Sequence, residues 1–167
     1  LFFFKQKTAY QISACLVGSE MCIRDRYPVD SDRFWRGGHG LYSTVDDYMK
    51  VAKFLGSGVT ADGSRLLSRK MVDLMWTNRV PAAQRPLRIG PAALPGYGFG
   101  LTGRVMVDMG QALSLTSLDE AGWAGAASTY FWVDRHENMC GVVMSQYLGS
   151  QIPLADDIRQ AVYQALD

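Results

Sequence analysis

The chain has 167 residues, with 17 Lys+Arg against 16 Asp+Glu and a formal net charge of +1. That balance offers no basic excess for a nucleic-acid or membrane-surface partner. The 3 cysteines and 2 histidines fall in no cluster with metal-ligand spacing, so no metal and no cofactor is expected.

Residues 1–26 read as translated laboratory DNA and are set aside from fold reasoning. Lys5-Gln6-Lys7-Thr8-Ala9-Tyr10 resembles the in-frame reading AAG CAG AAG ACG GCA TAC of a flow-cell sequencing adapter. Gly18-Ser19-Glu20-Met21-Cys22-Ile23-Arg24-Asp25 resembles the reading GGC TCG GAG ATG TGT ATA AGA GAC of a transposon-end adapter. Gln11, where the adapter would give Glu, departs by one base. Without the four basic and two acidic residues of this leader, 13 basic residues face 14 acidic ones, a net charge of −1. Cys15 and Cys22 leave with it, and Cys140 alone forms no internal disulfide, so the compartment stays open. The apolar run Leu1–Phe4 is far too short to span a bilayer, which needs about 20 residues. The expected native domain is therefore 27–167, opening inside a longer gene.

In chain order, Tyr27–Gly40 is turn-rich and expected to be irregular. Ser43 or Thr44 offers an N-cap, with Asp46 and Asp47 in the first turn. Val45, Tyr48, Met49, Ala52 and Leu55 line one helical face until Gly56 and Gly58 end it. Asp46 and Lys50 are spaced to pair on the exposed side. Asp62-Gly63 marks a turn, and Ser68 caps a shorter helix through about Trp76, with Met71 and Met75 as core fillers. Thr77–Gly96 carries four of the six prolines and reads as one long loop, a length uncommon unless it builds or covers a site.

The second half changes period. Tyr97 to Val107 alternates like a half-buried strand. Ser128–Val133 and Cys140–Tyr147 are apolar on both faces, and the polar residues Asp134 to Asn138 join them as an antiparallel hairpin. Leu154, Ile158, Ala161, Val162, Ala165 and Leu166 predict a C-terminal helix begun near Pro153, with these residues facing the sheet. The expectation is an α+β layer of three strands and a packing helix.

Small residues run from Ala124 to Ser128 at the start of a predicted central strand. Such a run marks a close approach by a ligand or another backbone, or a helix packed tightly over the spot. Here the chain resembles a known family. Gly37-Gly38-His39-Gly40-Leu41-Tyr42-Ser43-Thr44-Val45-Asp46-Asp47-Tyr48 is similar to the GG-x-GL-x-ST-x-x-D-Y segment of the serine β-lactamase-like family. Asp62-Gly63-Ser64-Arg65-Leu66-Leu67-Ser68 and Gly96-Tyr97-Gly98-Phe99-Gly100-Leu101 follow in the right order. That family comprises class C β-lactamases, penicillin-binding D,D-peptidases and serine esterases. The resemblance implies a β-lactamase/transpeptidase-like fold, an antiparallel sheet with flanking helices, present as its C-terminal part.

It also implies acyl transfer through a Ser-x-x-Lys nucleophile, a Tyr-x-Asn element and a third motif on the active-site strand. Trp123-Ala124-Gly125 stands where β-lactamases carry Lys-Thr-Gly, a form more similar to the esterases. In this reading Ala126 supplies an oxyanion-hole N–H, while Gly125, Ala124 and Trp123 shape that wall and His39 lines the cleft. Lysine at Trp123 would hold a substrate carboxylate by charge. The indole has one N–H donor and otherwise apolar surface, which favours an uncharged ester; the plainer alternative is a core filler. No Ser-x-x-Lys and no Tyr-x-Asn occurs after Tyr27. The expectation is thus a serine-esterase-like part without its nucleophile, inactive alone, its partners a small-molecule ester or amide and the missing N-terminal part of its own domain. The alternatives are a D,D-peptidase or β-lactamase of the same fold, or a non-catalytic binding relative. His136 is expected in solvent, and the adjacent Asp119 and Glu120 do not make an acid/base dyad.

Overall fold

The computed structural model describes residues 43–89, 92–125, 127–147 and 153–166. The expectations for 1–26, for the glycine-rich stretch with His39, and for Ala126 lie outside the described residues.

Helix α1 (Val45–Ser57) opens at Thr44, whose hydroxyl accepts the Asp47 N–H, and closes at Gly58, which adopts φ 73°. Only a residue free of a Cβ fits there, since one would collide with the Leu67 carbonyl oxygen. Lys50 pairs with Asp47 at 2.9 Å, one turn position from the expected Asp46. Helix α2 (Arg69–Trp76) is capped by Ser68. Trp76 Nε1 donates to the Leu55 carbonyl at 2.8 Å and ties α2 to the end of α1. Of the two methionines, Met75 is buried and Met71 is exposed.

The stretch expected as a single loop contains a two-stranded ribbon, β1 (Leu87–Ile89) with β2 (Ala92–Leu94). Three-residue strands among prolines give too few alternating positions for a period to show. A five-stranded antiparallel sheet follows in chain order: β3 (Tyr97–Phe99), β4 (Arg104–Met106), β5 (Ala121–Ala124), β6 (Tyr130–Asp134) and β7 (Met139–Val143). The strand expected over Tyr97–Val107 is in fact the β3–β4 hairpin, Tyr97 facing Met106 and Phe99 facing Arg104. Gly100 and Gly103 permit the reversal. The Gly100 N–H donates to the Gly103 carbonyl at 2.8 Å. A Cβ on either would lie 2.5 Å from a backbone oxygen, that of Met75 or of Gly122. Alternation survived the turn because the two short strands share one period.

The β6–β7 hairpin stands where expected, joined by a polar turn. Asp134 is fully buried, and its carboxylate accepts the N–H groups of His136 (2.9 Å) and Glu137 (3.0 Å), closing the turn from within. His136 is exposed. Helix α3 (Leu154–Gln164) completes the described chain.

The sheet is packed on both faces. Ala121, Phe131, Val133 and Val105 join Ala52, Val72, Met75 and Trp76 of α1 and α2 in one core. Tyr130, Trp132 and Val143 pack against Ala155, Val162 and Tyr163 of α3 in the other. The strand period of two makes this division: neighbours on β6 alternate between the helices above and below. Gly141 faces Trp132 across the hairpin, and its missing side chain makes room for the indole. Helix α3 turns only part of the expected stripe, Val162, toward the sheet. Its buried residue is Arg159, whereas Leu154 (39%), Ile158 (37%), Ala161 and Ala165 are exposed. A buried ion pair, rather than the leucine stripe, sets the helix rotation.

Candidate active-site strand

The candidate residues sit at the far end of β5. On one side β6 runs its full length, pairing Trp123 with Phe131 and Ala124 with Tyr130. On the other side β4 pairs only with Ala121 and Gly122. The outer edge of Trp123 and Ala124 therefore has no strand partner among the described residues, the arrangement that lets an extended group or a carbonyl lie against a sheet.

Trp123 is half-buried. Its indole meets the ring of Phe99 edge-to-face, centroids 5.0 Å apart and planes at 89°, a favoured aromatic geometry. It also packs on the core beneath α1 and α2. Trp123 thus fills core with one part and presents apolar surface at the open edge with another. Ala124 and Gly125 are exposed.

The small-residue run is not the start of a strand. β5 stops at Ala124, and a tight turn leads into β6. The Gly125 N–H donates to the Thr129 carbonyl at 2.8 Å, and the Ser128 N–H returns to the Gly125 carbonyl at 3.2 Å. With its own N–H taken, Gly125 contributes space rather than a donor. A Cβ there would collide with the Thr129 hydroxyl oxygen. Ser128 adopts φ 56°, the left-handed region that a serine enters only at a cost. Its Oγ donates to the Tyr147 carbonyl at 2.8 Å. Ser145, just beyond β7, points its Oγ at the carbonyls of Ala127 (2.8 Å) and Ser128 (3.2 Å). Sequence reasoning missed Ser145 and Ser128, for neither has a spacing that distinguishes it from a surface serine.

A second polar cluster lies under α3, away from this turn. Asp119, at φ 64°, and Glu120 together face Met106: the Asp119 N–H donates to the Met106 carbonyl at 2.9 Å, and the Met106 N–H to that of Glu120 at 2.8 Å. Two residues against one make a bulge, which re-aims a side chain. Here it turns Glu120 wholly inward. The Glu120 carboxylate accepts from Arg159 Nη1 (2.9 Å), Tyr97 (2.8 Å), Thr116 (3.0 Å) and Tyr130 (3.4 Å). The Arg104 guanidinium stacks over the rings of Tyr97 and Tyr130, 4.3 and 4.8 Å from their centroids. Burial, then the charge of Glu120, pushes the Tyr97 and Tyr130 hydroxyls up from their ordinary range. This cluster joins β3, β4, the residue before β5, β6 and α3, on the face of the sheet opposite the one where Trp123 packs. Among the described residues, no group of His, Cys, Asp and Glu has metal-binding geometry.

The Beta-lactamase family model matches residues 10–165, a range that begins inside the segment read as adapter-derived. An uncharacterised protein of Mycobacterium tuberculosis (strain CDC 1551 / Oshkosh) is 33% identical over 118 residues, 68% of this chain and 29% of that protein. The lovastatin esterase of Penicillium rubens is 29% identical over 136 residues, 75% of this chain and 31% of the esterase. Among solved structures, EstCE1, a hydrolase with promiscuous acyltransferase activity, superposes with a TM-score of 0.67 at 22% identity, over 80% of this chain and 33% of its own. Unliganded simvastatin synthase from Aspergillus terreus, as its selenomethionyl derivative, gives 0.60 at 22% identity, over 80% of this chain and 37% of its own. The chain thus spans about a third of the length of the relatives it matches. The antiparallel sheet between helices is the β-lactamase/transpeptidase-like fold, and with the model matched along nearly the whole sequence, this chain belongs to the Beta-lactamase family.

Proposed function

We propose that this chain supplies the β5 wall of a serine ester hydrolase or acyltransferase whose Ser-x-x-Lys nucleophile lies outside Tyr27–Asp167. The observation that carries the reading is Trp123. Its indole, braced edge-to-face by Phe99, puts apolar surface beside an uncovered strand edge, where a lysine would present charge. The esterase and acyltransferase relatives support the same reading. In the complete enzyme the serine Oγ attacks the ester carbonyl, the carbonyl oxygen takes the negative charge, and the C–O bond to the alcohol breaks. Lysine and tyrosine of the absent motifs carry the proton from the serine to the leaving alcohol. The Ala126 N–H is one of two oxyanion donors and the N–H of the nucleophilic serine the other. Loss of one such donor in a comparable site costs about 3–4 kcal/mol of transition-state stabilisation. Gly125 makes room for the Thr129 hydroxyl that shapes this turn, and Ala124 and Trp123 form the wall. His39 lines the cleft.

The test is to amplify and read the DNA upstream of the Tyr27 codon, express the complete frame, and assay a chromogenic ester beside a chromogenic cephalosporin. The expected result is a frame with Ser-x-x-Lys and then Tyr-x-Asn, and turnover of the ester in preference. Preferential cephalosporin turnover would make the parent a β-lactamase, and a frame lacking the nucleophile would make it a non-catalytic relative. A genomic origin for residues 1–26 would overturn the adapter reading.

A further inference from the structure

We infer that Ser145 and Ser128 are positioning residues for the acyl-transfer step, clamping the β5–β6 turn from the segment that leaves β7. The inference rests on the esterase reading above and adds two residues that lie outside the motifs named there. Three observations carry it. Ser145 Oγ reaches the carbonyls of Ala127 at 2.8 Å and Ser128 at 3.2 Å. Ser128 returns the contact, its Oγ donating to the Tyr147 carbonyl at 2.8 Å. And Ser128 holds φ 56°, a conformation that persists only where surroundings over-determine it. Ser128 and Ser145 stand on the continuation of the β6–β7 register, in which Tyr130 faces Val143, so these side chains carry that hairpin's pairing past its last strand residues and into the β5–β6 turn.

The geometry has a specific consequence. The carbonyls of Ala127 and Ser128 and the N–H of Gly125 are all engaged, so the described residues on either side of position 126 are held by hydrogen bonds. A hydrogen-bond donor aimed at a developing oxyanion contributes in proportion to how little it must reorganise when charge appears. Oxygen and backbone need agree only in the transition state. Loosening the clamp therefore lowers kcat and leaves KM in place, the pattern of an interaction made only there.

The experiment uses the complete reading frame, with p-nitrophenyl butyrate as substrate and amide hydrogen exchange of Gly125 and Ser128, whose N–H groups close the turn, as the second readout. Ser145→Ala is expected to lower kcat by about tenfold with KM unchanged, and to speed exchange at both amides while the β6–β7 core stays protected. Ser145→Thr, which keeps the hydroxyl, restores both. Ser128→Ala loses the bond to Tyr147 and keeps the unfavourable φ, so it is expected to resemble Ser145→Ala. Ser128→Gly relieves the φ without restoring the bond. A Ser145→Ala variant with undiminished kcat overturns the inference, as does exchange at the wild-type rate. A fall in kcat that Thr does not rescue also overturns it, since packing rather than the hydroxyl would be at work. If the wild-type frame hydrolyses no ester, it is the esterase reading that fails, and the exchange rates alone then decide whether the clamp exists.

Discussion

Glu120 and Arg159 are both buried, at 0% and 3% exposure, and joined at 2.9 Å. A charge pair in that position contributes little net stability over an apolar pair of similar shape, yet removing one partner leaves the other desolvated and uncompensated. Glu120→Ala leaves two buried guanidiniums, Arg159 and Arg104, without the carboxylate, and the expected cost is about 3–5 kcal/mol. Glu120→Leu with Arg159→Met, changed together, is expected to cost much less than the sum of the single changes. Urea unfolding of the complete protein and its single and double variants checks this through the coupling energy. Additive single costs would show that the two side chains do not act as a pair. The sequence hides this cluster. Adjacent Asp119 and Glu120 look like solvated charges, and it takes the bulge opposite Met106 to send one outward and the other in. The residues of the small run were legible for the opposite reason. Trp123, Ala124 and Gly125 stand out by size, and the strand edge they occupy is where close approach is required.

Among the elements, helix boundaries were the most legible part of the chain, because caps are local chemistry. Thr44, Gly58 and Ser68 stop and start their helices through their own side chains or lack of one. Strand boundaries were less so: nothing short of the contacts at Gly100 and Gly103 shows that one alternating stretch is two strands. The face of α3 was misread because Arg159, not an apolar residue, sits at its buried centre, with Tyr163 one turn on. Tyr163 donates to Asp134 at 2.6 Å, linking α3 to the carboxylate that closes the β6–β7 turn. Burial, with the hydrogen bond to Asp134, raises the Tyr163 hydroxyl well above its ordinary value. A raised folded-state pKa means that the protonated form is the one the fold stabilises. Its contribution is fully present below about pH 10, the unfolded value, and declines as pH rises beyond that. Tyr163→Phe is therefore expected to be about 1.5–3 kcal/mol less stable than wild type near pH 8, the range for a hydrogen bond to a charged group. The difference should narrow from pH 10 upward. Urea midpoints from pH 8 to 11 test it, and a difference constant across that range would mean that Tyr163 titrates as if unburied.

At the scale of the molecule, a five-stranded sheet carries helices on both faces, beside the two-stranded ribbon, and its margins are bare among the described residues. No strand among the described residues pairs with the outer edge of β7. Leu113 (85%), Leu118 (51%), Leu115 (46%) and Leu154 (39%) are exposed near the α3 side, where Leu115 is held to Gln160 by a 2.8 Å hydrogen bond. A bare edge is a template for pairing with another chain, and exposed leucines close to one another raise the same liability. The core under α3 does not offset this by itself, since it is built on Tyr130 and Trp132 beside the buried Glu120–Arg159 pair, which needs its surroundings intact. Tyr27–Asp167 expressed alone is thus expected to be poorly soluble or molten, with far-ultraviolet circular dichroism retained, near-ultraviolet signal from its tryptophans lost, and strong binding of a hydrophobic dye. The complete frame, supplying strands and helices to those margins, is expected to give a monomer with a cooperative transition and no dye binding. Sedimentation and thermal unfolding of the two side by side decide it. A sharp transition in a monomeric Tyr27–Asp167 would mean that the two cores on either face of β6 suffice without the rest of the domain.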